Sequence, residues 1–301
     1  MPSATTDDAV ELYYESAGSG EAIVFIHEFA GDYRSWEPQT QHFSQHYRCI
    51  TYSARGYPPS AIPAAHTAYS QARAVKDVIA VMDHAGIERA HLVGLSMGGF
   101  AALHTGLAHP DRVLSLCIAG AGYGAEPDRR DLFRQEAENS AAYALEHGSE
   151  AFALRYTAGP TRLPFKRSDP SGFEAFRTRM CGLSKVGLAN TQLGVQRERP
   201  SLYEMTDALR GLRIPTLVVN GDEDWPCLTP GLMLKQTIPS CALAVLPHCG
   251  HTINLEMPDA FNRLLSNLFS QTQRGTWPQR DPAAMADTIT GMSVATQENM
   301  P

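Results

Sequence analysis

AHLVGLSMGGFAALHTGLAHP, from Ala90 to Pro110, is the stretch whose reading decides the fold. It opens as a short, continuous apolar run of strand length and passes without a linker into Gly98-Gly99 and an Ala-rich segment that Pro110 ends. That is a buried strand turning directly into a helix. At the turn stands G-L-S-M-G, Gly94 to Gly98. With 24 glycines and 20 serines in 301 residues, a G-x-S-x-G arises by chance about one time in eight, so its context matters more than the pattern. A tight strand-to-helix turn strains the serine backbone and needs small neighbours for close approach. It would aim the Ser96 hydroxyl out of the sheet and put the Met97 amide at a helix N-terminus, facing developing negative charge.

The same rhythm extends on both sides. AIVFIH (Ala22 to His27) and YRCITYS (Tyr47 to Ser53) read as buried strands, with a helix-compatible Trp36 to Phe43 between them. From Ser70 to Ala85, Val75, Val78, Ile79 and Met82 recur at helical spacing, and Gly86 closes the helix. VLSLCIAG (Val113 to Gly120), IPTLVVNGDED (Ile214 to Asp224) and CALAVLPHCGH (Cys241 to His251) continue the strands. PDAFNRLLSNLFS adds a helix with Phe261, Leu264, Leu265 and Leu268 on one face. Continuous apolar strands alternating with helices predict an α/β protein with a mostly parallel central sheet covered by helices on both faces. Between about Tyr123 and Tyr203 no strand is legible, and Pro160, Pro164 and Pro170 cut a polar helical stretch into pieces. The expected organisation is a core of 1–122 and 206–270, a helical lid insertion over 123–205, and a polar tail over 271–301.

Composition limits the functions. The chain is 43% hydrophobic and 19% charged, enough for one large core. A net charge of −7 offers no basic excess for phosphates, so a small organic substrate is expected and nucleic acid is not. MPSATTDDAVELYYE lacks a basic then apolar leader, and no apolar run approaches the roughly 18 residues of a membrane helix. The expectation is a cytoplasmic protein off the membrane, compatible with a homo-oligomer. Six cysteines without C-x-x-C pairs read as buried free thiols.

A serine hydroxyl is a weak nucleophile, so Ser96 needs a base and an orienting acid. G-D-E-D (Gly221 to Asp224) follows one strand and G-H-T-I-N (Gly250 to Asn254) follows the next, at the same sheet edge as Ser96. Asp222 competes with Asp224 for the acid, and His248 with His251 for the base; Asp224 and His251 are the favoured pair. His27, at a strand end, reads as structural. Metal binding by His248 and His251 lacks the accompanying carboxylate or cysteine spacing, so no metal is expected. No nucleotide or flavin motif is present, and no cofactor is expected.

HEFAG, ARGYPPS, GLSMGG, GDED and HCGH, in this order over roughly residues 10 to 270, resemble the α/β-hydrolase superfamily. The order Ser96, Asp224, His251 is that of its catalytic triad. The resemblance implies that Phe29, two residues after His27, lends its amide to the oxyanion hole beside Met97. It also makes Trp36, which by the sequence alone reads more often as packing, Tyr123 and the aromatics Phe133, Tyr143, Phe152 and Tyr156 candidates to line the pocket. Three features depart from the pattern. Glu28 replaces the usual glycine, either paired with an arginine or turned to solvent, or placed at the pocket mouth, where it would disfavour anions, bind a cation or position water. In SARGYPPS, Ser53 stands where an acid is common, and Arg55 is expected to tie loops together. Trp225 and Cys227 follow Asp224 in place of a short aliphatic run, so Trp225 joins Glu28 and His248 as a candidate substrate contact.

The expected function is a serine hydrolase that cleaves an ester, lactone or amide through an acyl-enzyme. C–C bond hydrolysis, or cofactor-free lyase or oxygenase chemistry, is the alternative on the same fold. A ligand sensor on a hydrolase scaffold is the alternative from another class, since a fold does not determine its function.

Overall fold

The computed structural model describes residues 2–285. The elements are β1 (Ser3–Thr5), β2 (Glu11–Ala17), β3 (Ala22–Ile26), α1 (Glu37–Phe43), β4 (Arg48–Tyr52), α2 (Gln71–His84), β5 (Ala90–Leu95), α3 (Met97–Ala108) and β6 (Val113–Ala119). After β6 come helices only: α4 (Arg130–Thr157, interrupted at Gly148), α5 (Leu163–Ser168), α6 (Pro170–Cys181), α7 (Lys185–Thr191) and α8 (Thr206–Gly211). The sheet resumes with β7 (Thr216–Gly221), α9 (Trp225–Thr237), β8 (Cys241–Leu246), α10 (Ile253–Glu256) and α11 (Pro258–Gln273). The strand order is β1-β2-β4-β3-β5-β6-β7-β8. β3 to β8 run parallel, and β1 and β2 join the β4 edge antiparallel.

Side-chain alternation along each strand divides the core into two layers. Val24, Ile26, Leu92, Ile118 and Val218 face one side with Val78, Met82 and Phe100 of α2 and α3. Ile23, Phe25, Val93, Cys117, Leu217 and Val219 face the other, against Phe261, Leu265, Leu268 and Phe269 of α11. Leu264, assigned by periodicity to that face, is only partly buried.

Three segments differ from the sequence reading. β1 and β2 were not anticipated. ELYYESA mixes Glu and Ser with tyrosines, and as an antiparallel strand it hides only part of itself, so it carries no continuous apolar run. α9 contains Pro226 and Pro230, which concealed it as a helix; Pro226 sits in its first turn, where no helical donor is lost. The expected tail from residue 271 begins inside α11, which runs to Gln273. There a Schellman pair of bonds ends it, Gly275 N–H to Thr272 O at 3.0 Å and Thr276 N–H to Gln271 O at 2.9 Å. Trp277 then packs back, its indole donating to Ser240 O at 2.7 Å. The remainder of that expected tail, 286–301, lies outside the described residues.

Candidate active site

Ser96 occupies the turn between β5 and α3 at φ 54°, ψ −115°, a conformation that costs a non-glycine residue about 1–3 kcal/mol. Its surroundings hold it there. Ser96 N–H donates to Ala119 O at 2.8 Å, and Ser96 O accepts from Phe100 N–H at 3.0 Å. A Cβ on Gly98 would lie 2.0 Å from Ile26 O, and one on Gly94 would lie 2.0 Å from Gly98 O. Backbone cannot yield as a side-chain tip can, so Gly98→Ala is expected to destabilise by about 3 kcal/mol. Gly211→Ala, where a Cβ meets nothing, should stay within about 1 kcal/mol of wild type. Urea midpoints of the two variants compare them directly. Ser96 is partly exposed, whereas Gly94, Leu95, Met97 and Gly98 around it are buried.

The acid and the base come together at this edge of the sheet. Asp224, just past β7, and His251, past β8, are buried, and His251 Nδ1 lies 2.7 Å from Asp224 Oδ2. With the proton on Nδ1, the Nε2 lone pair is left free. Burial opposes charge on the imidazole, but Asp224 more than offsets this and raises its pKa. The ring lies beside Gly120, 3.4 Å from where a Cβ would stand, and Gly120 follows the Ala119 that holds Ser96 N–H. Asp222, the competing acid, instead accepts from Cys249 N–H at 3.2 Å. His248, the competing base, is exposed at φ 57°.

Both loops are braced from behind. A Cβ on Gly221 would lie 2.2 Å from Cys249 O, so only glycine lets the acid loop cross the base loop this closely. The buried side of Glu256 accepts Gly250 N–H and Thr252 N–H, each at 2.8 Å, on either side of His251. Gln39 Nε2 donates to Asn254 O at 3.0 Å, and Asn254 Nδ2 to Ser35 O at 2.7 Å, tying the base loop to residues 35–39. Sequence reading missed Glu256, Gln39 and Asn254; the only signal was a carboxylate five residues after the histidine.

The loop after β3 carries His27, Glu28 and Phe29. His27 bridges it to the loop after β4: Nε2 accepts Ala54 N–H at 3.0 Å, and Nδ1–H donates to Glu28 O at 2.6 Å. This is the structural role expected of it, and burial lowers its pKa and keeps it neutral. Neither the Phe29 nor the Met97 amide donates to another group among the described residues. The Phe29 ring packs on Phe152 and Tyr156, with centroids 6.1 and 5.5 Å away.

Glu28 is 1% exposed and paired with the fully buried Arg162, so of the two readings the paired one holds, though inside the protein rather than in solvent. Arg55 ties loops as expected. It donates to Asp77 at 2.7 and 2.6 Å, to Asp8 at 2.9 and 3.1 Å and to Ala68 O at 2.6 Å.

Three further candidate substrate contacts differ in burial. Trp36 is fully buried between Phe25 and Phe261, at 5.2 and 6.2 Å between ring centroids, and is a core residue. Trp225 is 74% exposed at the start of α9, because the helix turns its first residue outward. His248 likewise points to solvent. Tyr123 is tied to Glu136 and packs edge-on against Phe133 at 5.2 Å. Tyr143 packs on His147 and Arg155, leaving Phe152 and Tyr156 as the aromatics beside Phe29.

Asp224, Cys227 and His251 bring three potential metal-ligand atoms within 4.8 Å of one another. Cys227 is a poor ligand here. Its thiol donates to Gly120 O at 3.3 Å, and burial, followed by Asp224, pushes its pKa well up, whereas metals take the thiolate. Of the other two residues, His251 Nδ1 and Asp224 Oδ2 are taken up by their mutual contact.

Comparison with known proteins agrees with this fold. The sequence profile of the alpha/beta hydrolase fold matches residues 21–258. A 2-hydroxy-6-oxo-6-phenylhexa-2,4-dienoate hydrolase of Burkholderia cepacia is 30% identical over 263 residues, 84% of this chain and 89% of that protein. 3-Oxoadipate enol-lactonase 1 of Acinetobacter baylyi is 26% identical over 256 residues, 84% and 90% of the two chains. The crystal structure of the enol-lactonase from Burkholderia xenovorans LB400 superposes with a TM-score of 0.76 at 24% identity, covering 89% of this chain and all of that one. No helix among the described residues is long and apolar enough to cross a membrane. The sheet order, the strained serine between β5 and α3 and the matching profile together make this chain a member of the α/β-hydrolase fold family of enzymes.

Proposed function

We propose that the protein is a serine hydrolase acting on an ester, lactone or amide of a small organic acid. Ser96 attacks the carbonyl, His251 Nε2 takes the hydroxyl proton, and Asp224 stabilises the imidazolium that forms. The amides of Phe29 and Met97 receive the oxyanion, each worth roughly 3 kcal/mol in such a site. His251 then returns its proton to the leaving group, and water activated by the same imidazole clears the acyl-enzyme. The helices from α4 to α7 form the lid, and Phe152 and Tyr156 give its inner face an aromatic surface beside Phe29.

The observation that carries this reading is the 2.7 Å contact of His251 Nδ1 with buried Asp224, at the same edge as a serine held in the elbow conformation. The enol-lactonase relative supports a lactone or ester substrate. Mixing the enzyme with a p-nitrophenyl ester should release a burst of nitrophenol equal to the enzyme concentration, with the acyl mass recovered on the peptide bearing Ser96. An adduct recovered on another residue rejects Ser96 as the acylated group.

The 30% identical relative favours a second reading, because the dienoate in its name contains no ester, lactone or amide bond to hydrolyse. On this reading the same Ser96 and His251 cleave a C–C bond of a vinylogous diketone. Turnover of such a diketone while simple esters stay intact would select it.

A further inference from the structure

Glu28 stands where the superfamily pattern has glycine, immediately before the residue assigned to the oxyanion hole, and its side chain is spent on a single partner. Arg162 Nη1 donates to Glu28 Oε1 at 2.8 Å, and Nη2 donates to Oε2. The same Nη1 donates to Thr252 Oγ1 at 2.7 Å, one residue past His251. Nη2 also donates to Tyr156 Oη at 3.3 Å. The guanidinium lies over the rings of Tyr156 and Phe176 at 5.4 and 5.2 Å, and Tyr156 is one of the two rings against Phe29. One buried cation therefore touches three separate segments: the loop after β3, the loop after β8, and the helices between β6 and β7.

A buried ion pair is weak evidence for stability, since well-packed apolar residues of similar volume often serve the fold as well, and its best-attested use is to fix geometry. A carboxylate and a guanidinium meeting in a fork allow one relative orientation of the elements that carry them. We infer that Glu28 and Arg162 are positioning residues, which dock the helical lid onto the oxyanion loop and the base loop together, so that the oxyanion hole is in register only when the lid is seated. This rests on the serine-hydrolase reading above. Neither residue hydrogen-bonds Ser96 or His251 among the described residues; they act through Phe29, Thr252 and Tyr156.

Their charges also reach the base. His251 is faced by Asp224 and Cys227 from the acid loop and α9, by Glu28 from the loop after β3, by Arg162 from the lid and by Glu256 from α10. Arg162 lowers and Glu28 raises its pKa, so the two oppose each other as a pair. Removing one partner leaves the other uncompensated, with opposite consequences for the imidazole.

The test uses the full-length enzyme and an ester whose turnover is lost in Ser96→Ala. Glu28→Gln and Arg162→Met should each lower kcat by about 100-fold, the cost of a small misplacement at the hole, with KM changed less than about threefold. The acid limb of kcat/KM should move to lower pH in Glu28→Gln and to higher pH in Arg162→Met. The double variant should return the limb toward its wild-type position and have a kcat no lower than either single variant. Arg162→Lys keeps the charge and loses the fork; it should lower kcat with the limb unmoved, and it decides the matter if Arg162→Met fails to fold. Single variants with kcat within threefold of wild type, or limbs that move the same way, overturn the inference while leaving the serine mechanism standing. Ester turnover that survives Ser96→Ala overturns the mechanism itself.

Discussion

Ser96→Ala is expected to lower kcat by about a millionfold while leaving KM nearly as it was. The hydroxyl is the attacking group, and no neighbour can take its place: the Cys227 thiol is held protonated by burial and donates to Gly120 O. What remains, about a thousandfold over water, is what an oxyanion hole and substrate binding provide without a nucleophile. Single-turnover measurements on a p-nitrophenyl ester check both numbers. Stability should move differently. Alanine at φ 54°, ψ −115° is as strained as serine, so Ser96→Ala should melt like wild type. Ser96→Gly should be equally inactive but about 1 kcal/mol more stable, since glycine relieves the backbone strain at some entropic cost in the unfolded chain. A Ser96→Ala enzyme that still hydrolyses the ester at a tenth of the wild-type rate rejects the proposed nucleophile.

The second large effect separates two aspartates that sit two residues apart. Asp224→Asn should lower kcat by about 10,000-fold, because an amide in place of Oδ2 no longer requires the proton to sit on Nδ1. The base would then be held in the wrong tautomer. Asp224 also raises the His251 pKa against the opposing effect of burial. Imidazole is the active base only when neutral, so wild-type activity falls as pH drops through that raised value. Removing the carboxylate should shift the acid limb of kcat/KM downward. Asp222→Asn should cost less than about tenfold, since Asp222 braces Cys249 N–H and does not reach the ring. Comparable losses in both variants would mean that the loop, and not one carboxylate, orients the histidine.

The hypothesis that Glu28 and Arg162 position the hole bears on how such an enzyme is specified. In the superfamily pattern the residue before the proposed oxyanion donor is glycine, which brings no charge to the loop. Here a carboxylate is buried in its place, and the lid must supply the counter-charge. On that hypothesis the helices between β6 and β7 are part of the catalytic frame as well as a cover for the substrate.

How much of this was legible follows from the range over which each feature is encoded. The strand-turn-helix around Ser96, the six parallel strands and the loops bearing Asp224 and His251 were readable because continuous apolar runs and tight turns are local patterns. β2 escaped because an edge strand lacks that signature, and α9 because its prolines imitate a loop. Trp36 stayed open between packing and pocket for a related reason: an indole nine residues after His27 can pack either up toward a pocket or down into the core, and nothing local chooses between them.

The sequence alone determined the α/β architecture and the chain order of the candidate nucleophile, acid and base, since both depend on periodicity and on residue types at short spacing. Only the tertiary structure decided which aspartate meets which histidine, and that Glu28 is neutralised by a residue 134 positions away. Such pairings arise where loops from different strands converge, and the distance between two side chains there is set by packing that no local pattern records.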